Sequence, residues 1–296
     1  MNLTSPSQVK AWCIEHDFHP NKVLGQNFLI DRNALEAIVD AGLEGLDGSG
    51  GSGCLDVLEI GPGLGVLTEE MLRRGVRVTA VEKDPVLAAR LKESLGNPAN
   101  LTVIAGDALD VLSSTSQPST LNPPPSSLFP LPSSLFPLPS FSAMVSNLPY
   151  QAGTRILLEL VQRREIPSMT VLVQTEVAER LAAGPGSKTR GLAGVWAQLD
   201  YDVKIVRKVS ASCFWPRPEI GSSVVKLVRH DRNVGVSGEE RDVFRKLTKK
   251  AFEHRRKQLG SIFKDMIQST ARAEELSNED WLALARGLTE QKNENT

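Results

Sequence analysis

The residues Ser146–Gln151, S-N-L-P-Y-Q, follow the apolar run FSAMV and precede a segment with helical periodicity. An asparagine, a proline-stiffened turn and an aromatic ring at a strand end set hydrogen-bond acceptors beside a stacking platform. Such a set suits an exocyclic aromatic amine acting as nucleophile. The lone pair of that amine is delocalised into its ring, so it attacks poorly. Acceptors aimed at its two hydrogens draw it toward tetrahedral geometry and stabilise the positive charge developing on nitrogen, the inverse of an oxyanion hole. Asn147 would supply a side-chain carbonyl, Leu148 a backbone carbonyl, Pro149 the fixed turn and Tyr150 the face on which an extruded base stacks. No strongly basic side chain is needed, and a plain strand-to-helix turn is the structural alternative.

Three other strand ends carry polar residues. In VLEIGPGLGVLTEEML, Gly61, Gly63 and Gly65 lie between a strand and a helix, where the backbone must turn sharply and a ligand can approach the main chain without meeting a Cβ. Dinucleotide, flavin and S-adenosylmethionine sites share such turns. Two departures favour the methyl donor: Glu59 precedes the glycines, and Pro62 stiffens a turn lacking the GxGxxG spacing that seats a pyrophosphate on a helix N-terminus. Glu82, in VTAVEKD, can accept both hydroxyls of a ribose, which a nicotinamide cofactor also presents. Asp107, in IAGDAL, can accept from an adenine amino group or cap the helix that follows. Together these strand ends predict an adenosine-bearing cofactor.

The elements that must hold these residues follow from the hydrophobic pattern. LDVLEI, VRVTAV, LTVIAG, FSAMVS and MTVLVQ are near-continuously apolar, as in strands covered on both faces, and LTEEMLRR, PVLAARLKESL and TRILLELVQRR are helical between them. This rhythm predicts an α/β fold, a Rossmann-like doubly wound parallel sheet with its ligand at the strands' carboxyl ends. WAQLDYDVKIVRKVS and GSSVVKLVR add two further strands, expected antiparallel at the sheet's edge. Ahead of the sheet, Ser5, Pro6 and Gln8 form a capping-box start for one helix, and Asp31 caps another, RNALEAIVDAGL. From about Asp231 the strand pattern stops. RDVFRKLTKKAF, HRRKQLGSIFK and NEDWLALARGL then predict a small all-helical domain over 231–296, after a first domain over 1–230. Gly45–Gly53 is a flexible connection, and the stretch at about 113–140, with two copies of SSLFPLP and eight prolines, is a disordered or polyproline-like insertion.

Composition excludes rather than assigns. No N-terminal secretory pattern and no run of roughly 18 apolar residues is present, so a cytoplasmic protein with no membrane span is expected. Cys13, Cys54 and Cys213 never form a CxxC pair, which argues against a disulfide framework and predicts no metal site. The net charge is −1, yet between Arg241 and Lys264 nine Lys/Arg face two acidic residues, so the rest of the chain carries −8. That asymmetry suggests that one region meets a polyanion. Lys249, Arg245, Arg255, Arg256 and Lys257, with Lys188 and Arg190 of the SKTRG loop, are the candidate phosphate contacts.

LGQNFLID (Leu24–Asp31), EIGPGLGVLT, VEKD, GDAL, NLPY and FWPRPEIGSSVV (Phe214–Val225), in this order over about residues 20–260, resemble the ribosomal RNA adenine dimethylases, specifically the bacterial small-subunit group. The resemblance implies a Rossmann-like methyltransferase with a C-terminal helical, RNA-binding domain. It implies dimethylation of N6 on two adjacent adenosines in a hairpin near the 3′ end of 16S rRNA, with S-adenosylmethionine as cofactor. The partner it implies is the 16S rRNA of an immature small ribosomal subunit, acted on by a monomer during subunit biogenesis. It also implies that Asn27, Leu29, Gly61, Gly63, Glu82, Asp107 and Asn147 contact the donor or line its pocket, and that Phe214 opposes Tyr150 as a second aromatic wall. Two rivals stand beside this reading: a DNA adenine methyltransferase with an NPPY-like turn, and an RNA-binding assembly factor that has lost catalysis. QNFL and FWPRPEIGSS disfavour the first, and the intact Gly61, Gly63, Glu82, Asp107 and Asn147 disfavour the second.

Overall fold

The computed structural model describes residues 1–46, 54–113 and 140–294. Most of the Gly45–Gly53 connection and of the proline-rich insertion therefore lies outside the described residues.

The chain begins with α1 (Pro6–Glu15), whose first residue is the proline that presets its φ. The expected capping box does not form: Ser5 makes no side-chain cap, and Gln8 Oε1 instead accepts from the Asn2 backbone N–H at 2.6 Å. The short strand β1 (Phe28–Leu29) leads to α2 (Arg32–Leu43), where Asp31 Oδ1 does cap, accepting from Ala34 N at 2.8 Å. Ala34, Leu35, Ile38 and Val39 form its buried face. Gly42 belongs to the same face because a Cβ there would come 2.4 Å from Val145 Cγ2, so its absence lets the helix press against the sheet.

The alternating units follow in order: β2 (Asp56–Ile60), α3 (Val66–Arg73), β3 (Arg77–Glu82), α4 (Pro85–Ser94), β4 (Leu101–Ala105), α5 (Ala108–Ser113), β5 (Ala143–Asn147), α6 (Gly153–Arg163) and β6 (Ser168–Gln174). Then come α7 (Thr175–Ala182), α8 (Leu192–Asp200), β7 (Tyr201–Val209), β8 (Phe214–Trp215) and β9 (Ser222–Arg229), and finally α9 (Gly238–Glu253), α10 (Leu259–Phe263) and α11 (Asn278–Glu294). Seven strands make one sheet in the order β4-β3-β2-β5-β6-β9-β7, while β1 and β8 pair antiparallel, Phe28 with Trp215 and Leu29 with Phe214. β2 is parallel to β3 and to β5, β3 to β4, and β5 to β6. The fold is thus α/β, as the sequence pattern predicts. Chain order reverses at β2, with β3 on one side and β5 on the other, the position at which doubly wound sheets open a crevice at their carboxyl ends. Val57, Val78, Leu101, Ala143, Val145 and Leu172 lie in the core that α2 and α3 cover, which is why these strands are apolar on both faces.

Three differences from the sequence reading have physical reasons. WAQLD belongs to α8, not to a strand, and β7 starts at Tyr201. Gly194 within it sits where a Cβ would meet Arg180 O at 2.4 Å, a close approach to the preceding helix that apolar patterning does not reveal. β9 lies inside the sheet between β6 and β7, leaving only β7 at that edge. HRRKQL opens no long helix: His254 caps the end of α9, and α10 begins only at Leu259.

Two compact units emerge, Met1–Thr175 with Ile205–Leu227, and Glu176–Lys204 with Val228–Thr296. Residues 176–204 therefore group with the C-terminal helices, in place of the expected single boundary near 230. The second unit has its own core, with Phe244, Leu247, Leu259, Trp281 and Leu282 buried together with Val195 and Leu199 of α8. Asp200 and Arg241 form a bidentate pair inside it at 2.7 and 3.0 Å. The capping box that does form lies at the start of α9: Ser237 Oγ accepts from Glu240 N, and Glu240 Oε2 accepts from Ser237 N at 2.6 Å. Among the described residues, no helix is long and apolar enough to cross a membrane.

Candidate active site

Where β2 and β5 diverge, the ladder between them is replaced by a side chain: Ile60 N donates to Ser146 Oγ at 2.9 Å. Past that point the strand ends open into a cleft of about 390 Å³, lined by Glu59, Gly61, Glu82, Asp107, Asn147 and Tyr150 among others. This volume lies in the range of small-molecule sites.

The glycine turn follows β2 directly. Gly61, Gly63 and Gly65 have φ of +68°, +60° and +90°, a left-handed region that side chains with a Cβ rarely adopt. At Gly63 a Cβ would also come 3.1 Å from the ring of Phe28. The turn is drawn onto the end of β3 by Glu82, whose Oε2 accepts from Gly63 N at 3.0 Å and whose Oε1 accepts from Asp84 N at 2.8 Å. A carboxylate has about four acceptor sites, so capacity remains for a ligand hydroxyl. Burial pushes the Glu82 carboxyl above its ordinary range, against the opposing pull of these N–H donors.

Glu59 is buried deeper, 1% exposed, and accepts from Thr68 Oγ1 at 2.6 Å. Burial, opposed by the Thr68 hydroxyl and helped by the nearby Glu82 charge, raises its pKa to about 8. Burial raises both carboxyls above their ordinary range, and a cationic ligand beside them would favour the charged form of each. Asp107 ends the β4 connection. Burial pushes its carboxyl up, but hydrogen bonds from Lys83 Nζ at 2.7 Å and Leu109 N at 2.9 Å, with the charges of Lys83 and Arg155, outweigh burial and hold it below the usual range. It therefore caps α5 and also lines the cleft.

At the end of β5, Asn147 Nδ2 donates to the Asn27 carbonyl at 3.1 Å, which commits the nitrogen end of the amide and leaves the oxygen end as acceptor. Leu148 is buried, Pro149 O accepts from Gly153 N at 2.7 Å to start α6, and the Tyr150 hydroxyl is tied to Ser222 Oγ at 2.5 Å. That last bond fixes the ring at the cleft wall. Burial, only partly offset by this bond, raises the phenol's pKa. Asn27 and Leu29 also line the cleft.

Phe214 does not. Its register opposite Leu29 turns it into the sheet core with Val209 and Val224, where it is 2% exposed. Alternation turns Trp215 the other way, to stack on Phe28 with ring centroids 6.5 Å apart, and Phe28 lines the cleft along with Tyr150. The sequence signal for Phe28 was its place between Asn27 and Leu29 in QNFL. Gln26, in the same motif, and Ser222 also lie outside the residues the sequence singles out.

Of the predicted phosphate contacts, Lys188, Lys249, Arg256 and Lys257 are exposed, and Arg245 is half-buried with Asp242 at 3.6 Å. Arg255 is half-buried, bonded to Lys188 O and 3.5 Å from Glu274. Arg190 is a correction. It is 1% exposed and donates to Asn278 Oδ1 at 3.0 Å inside the second unit, so it presents no surface to a polyanion. Arg241, one of the nine basic residues of the charged stretch, is likewise consumed by Asp200.

The sequence profile described as "Ribosomal RNA adenine dimethylase" matches residues 17–288. The chain belongs to the ribosomal RNA adenine dimethylase family. It is accordingly an rRNA adenine dimethyltransferase. This dimethylase is 41% identical over 225 residues to the ribosomal RNA small subunit methyltransferase A of Deinococcus radiodurans, covering 76% of this chain and 67% of that one. It is 35% identical over 258 residues to the protein of that name from Alkaliphilus oremlandii, covering 87% and 82%. A dimethyladenosine transferase from Plasmodium falciparum shares the fold of the dimethylase at a TM-score of 0.68 and 21% identity, covering 89% of this chain and 98% of that one.

Proposed function

We propose that the cleft binds S-adenosylmethionine and that the enzyme uses it to dimethylate N6 of two adjacent adenosines in a hairpin near the 3′ end of 16S rRNA, within an immature small ribosomal subunit. The donor, when bound, supplies an electrophilic methyl group on a sulfonium. The cleft fits such a cation: two buried carboxyls, Glu59 and Glu82, both raised by burial, line it, and the glycine turn leaves room for close approach of the ligand. Glu82 accepts from the ribose hydroxyls, Asp107 from the adenine amino group, and Asn27, Leu29, Gly61 and Gly63 complete the walls.

The observation that carries the catalytic reading is the fixed amide of Asn147. With its nitrogen given to the Asn27 carbonyl, its oxygen is left to accept from the target N6–H. Leu148 O accepts the second N6 hydrogen, Pro149 holds the two carbonyls in register, and the base stacks on Tyr150. As the N–C bond forms and the methyl's bond to the donor sulfur breaks, leaving a neutral thioether, these acceptors stabilise the positive charge on nitrogen, which then loses a proton to solvent; no basic side chain is required. Lys188, Lys249, Arg256 and Lys257 contact RNA phosphates.

Methyl transfer to immature small subunits and to duplex DNA tests this reading. The expected product is N6,N6-dimethyladenosine at two neighbouring positions of the small-subunit RNA, detected by mass spectrometry. Activity on DNA alone would refute it.

A further inference from the structure

The Asn147 amide has two ends of nearly equal shape and opposite hydrogen-bonding sense. Turned over, it would present N–H groups to an amine that itself donates, and the acceptor would be lost. What sets its sense is the carbonyl of Asn27, at 3.1 Å. That carbonyl belongs to a strap whose far side is tied down by β1 pairing with β8, Leu29 against Phe214. On its near side, Gln26 ties it to two partners. Gln26 Oε1 accepts from Asn21 N at 2.7 Å, and Gln26 Nε2 donates to Asp84 Oδ2 at 2.8 Å. Asp84 is 7% exposed and held in turn: its Oδ1 caps α4 through Val86 N at 3.0 Å and Leu87 N at 3.3 Å, and its N–H donates to Glu82 Oε1 at 2.8 Å. Next to Gln26, Gly25 adopts φ +67°, and a Cβ there would come 3.1 Å from Tyr150 N, so the strap passes against the acceptor turn with no slack.

We propose that Gln26 and Asp84 form a latch that positions the Asn27 carbonyl and thereby fixes the sense of the Asn147 amide, joining the donor-side loop at Glu82 to the acceptor turn. Gln26 is a positioning residue: it acts through Asn27 and Asn147 and does not touch the transferred group. Small displacements of a reacting group cost rate far more than they cost binding, so the latch serves turnover above donor affinity. The inference rests on the reading of Asn147 as acceptor for the target amine.

The test exchanges the latch's polarity. Gln26→Glu sets a carboxylate against the Asp84 carboxylate, and Asp84→Asn sets an amide against the Gln26 amide. The double variant restores one donor facing one acceptor, because the introduced carboxylate can accept from both Asn21 N and the introduced amide, whose oxygen still caps α4. Each single variant is expected to lose at least tenfold in kcat on immature small subunits while the Kd for S-adenosylmethionine changes less than threefold. The double variant should return to within threefold of the parent kcat. Gln26→Met, uncharged and of similar length, should show the same kcat-selective loss, and thermal melting verifies that each variant is folded. Native kcat in Gln26→Met, a double variant that is folded yet no faster than the slower single, or a loss confined to donor Kd would each overturn the latch. Asn147→Ala separates this from the underlying reading: native turnover there overturns the acceptor role itself, whereas slow Asn147→Ala beside native Gln26→Met overturns the latch alone.

Discussion

Asn147 ends β5 and Glu82 ends β3, on either side of β2 in the same sheet, and the roles proposed for them differ. Removing an acceptor that works only as charge develops lowers turnover, whereas removing a group that holds the donor in all states weakens binding. Asn147→Ala is expected to lower kcat on the order of a hundredfold with donor Kd nearly unchanged; Glu82→Ala is expected to raise donor Kd at least tenfold, both read by stopped assays and by calorimetry. Glu59 gives a prediction of a different kind. Its folded pKa, raised to about 8, lies above its unfolded value of 4.5, so the folded protein holds a proton that the unfolded chain releases. Its contribution to stability is full below about pH 4.5 and is lost as pH rises through about 8. Glu59→Gln keeps an acceptor for Thr68 and has no proton to lose. Its melting temperature should exceed that of the parent most at pH 8, by roughly 2–4 kcal/mol of stability, and the gap should close toward pH 5. A constant difference across that window would show that Glu59 ionises normally.

At the scale of elements, the polar strand ends were legible because a doubly wound sheet puts its chemistry where strands stop, and Glu82, Asp107 and Asn147 stop three of them. The three misplaced features have a common origin in close packing. WAQLD is apolar enough for either a strand or a helix, and only the contact at Gly194 with the Arg180 carbonyl decides for α8. Phe214 sits in a motif rich in aromatics, but its inward sense comes from pairing with Leu29, a register set by residues nearly two hundred positions apart. Arg190, in a Gly-rich basic loop, reads as a surface cation by its sequence context, but Asn278 of α11 holds it inside. The Asp200–Arg241 pair shows what such burial demands. It ties the end of α8 to α9 with both side chains almost wholly enclosed, 4% and 9% exposed. Removing one partner leaves a buried charge, so Arg241→Met should cost about 3–5 kcal/mol in denaturant unfolding of the full chain, and adding Asp200→Leu should recover most of that loss. Equal destabilisation by the single and double variants would mean that the pair matters only for its packing.

For the whole molecule, charge distinguishes the surface proposed to meet RNA from the cleft proposed to hold the donor. The chain is nearly neutral, and the excess of positive charge in 241–264 is offset by −8 elsewhere, so a polyanion is attracted locally and not by the protein at large. The burial of individual side chains decides which cations contribute. Arg256 and Lys257 are exposed on the turn that follows α9, whereas Arg190 is enclosed. Each phosphate neutralised releases counterions, and the slope of log K against log salt falls by about 0.7 to 0.9 per lost contact. The pair Arg256→Glu and Lys257→Glu is therefore expected to weaken binding of a small-subunit rRNA hairpin at least tenfold at low salt and to reduce the slope by about one to two. Donor affinity should be unaffected, since the residues that line the donor cleft are others. Arg190→Ala should behave in the opposite way, with an unchanged slope and a lower melting temperature, because an enclosed guanidinium releases no counterions from RNA. Filter binding of the hairpin across a salt series, with the melt of each variant measured beside it, distinguishes the two; a reduced slope in Arg190→Ala would place that side chain on the RNA after all.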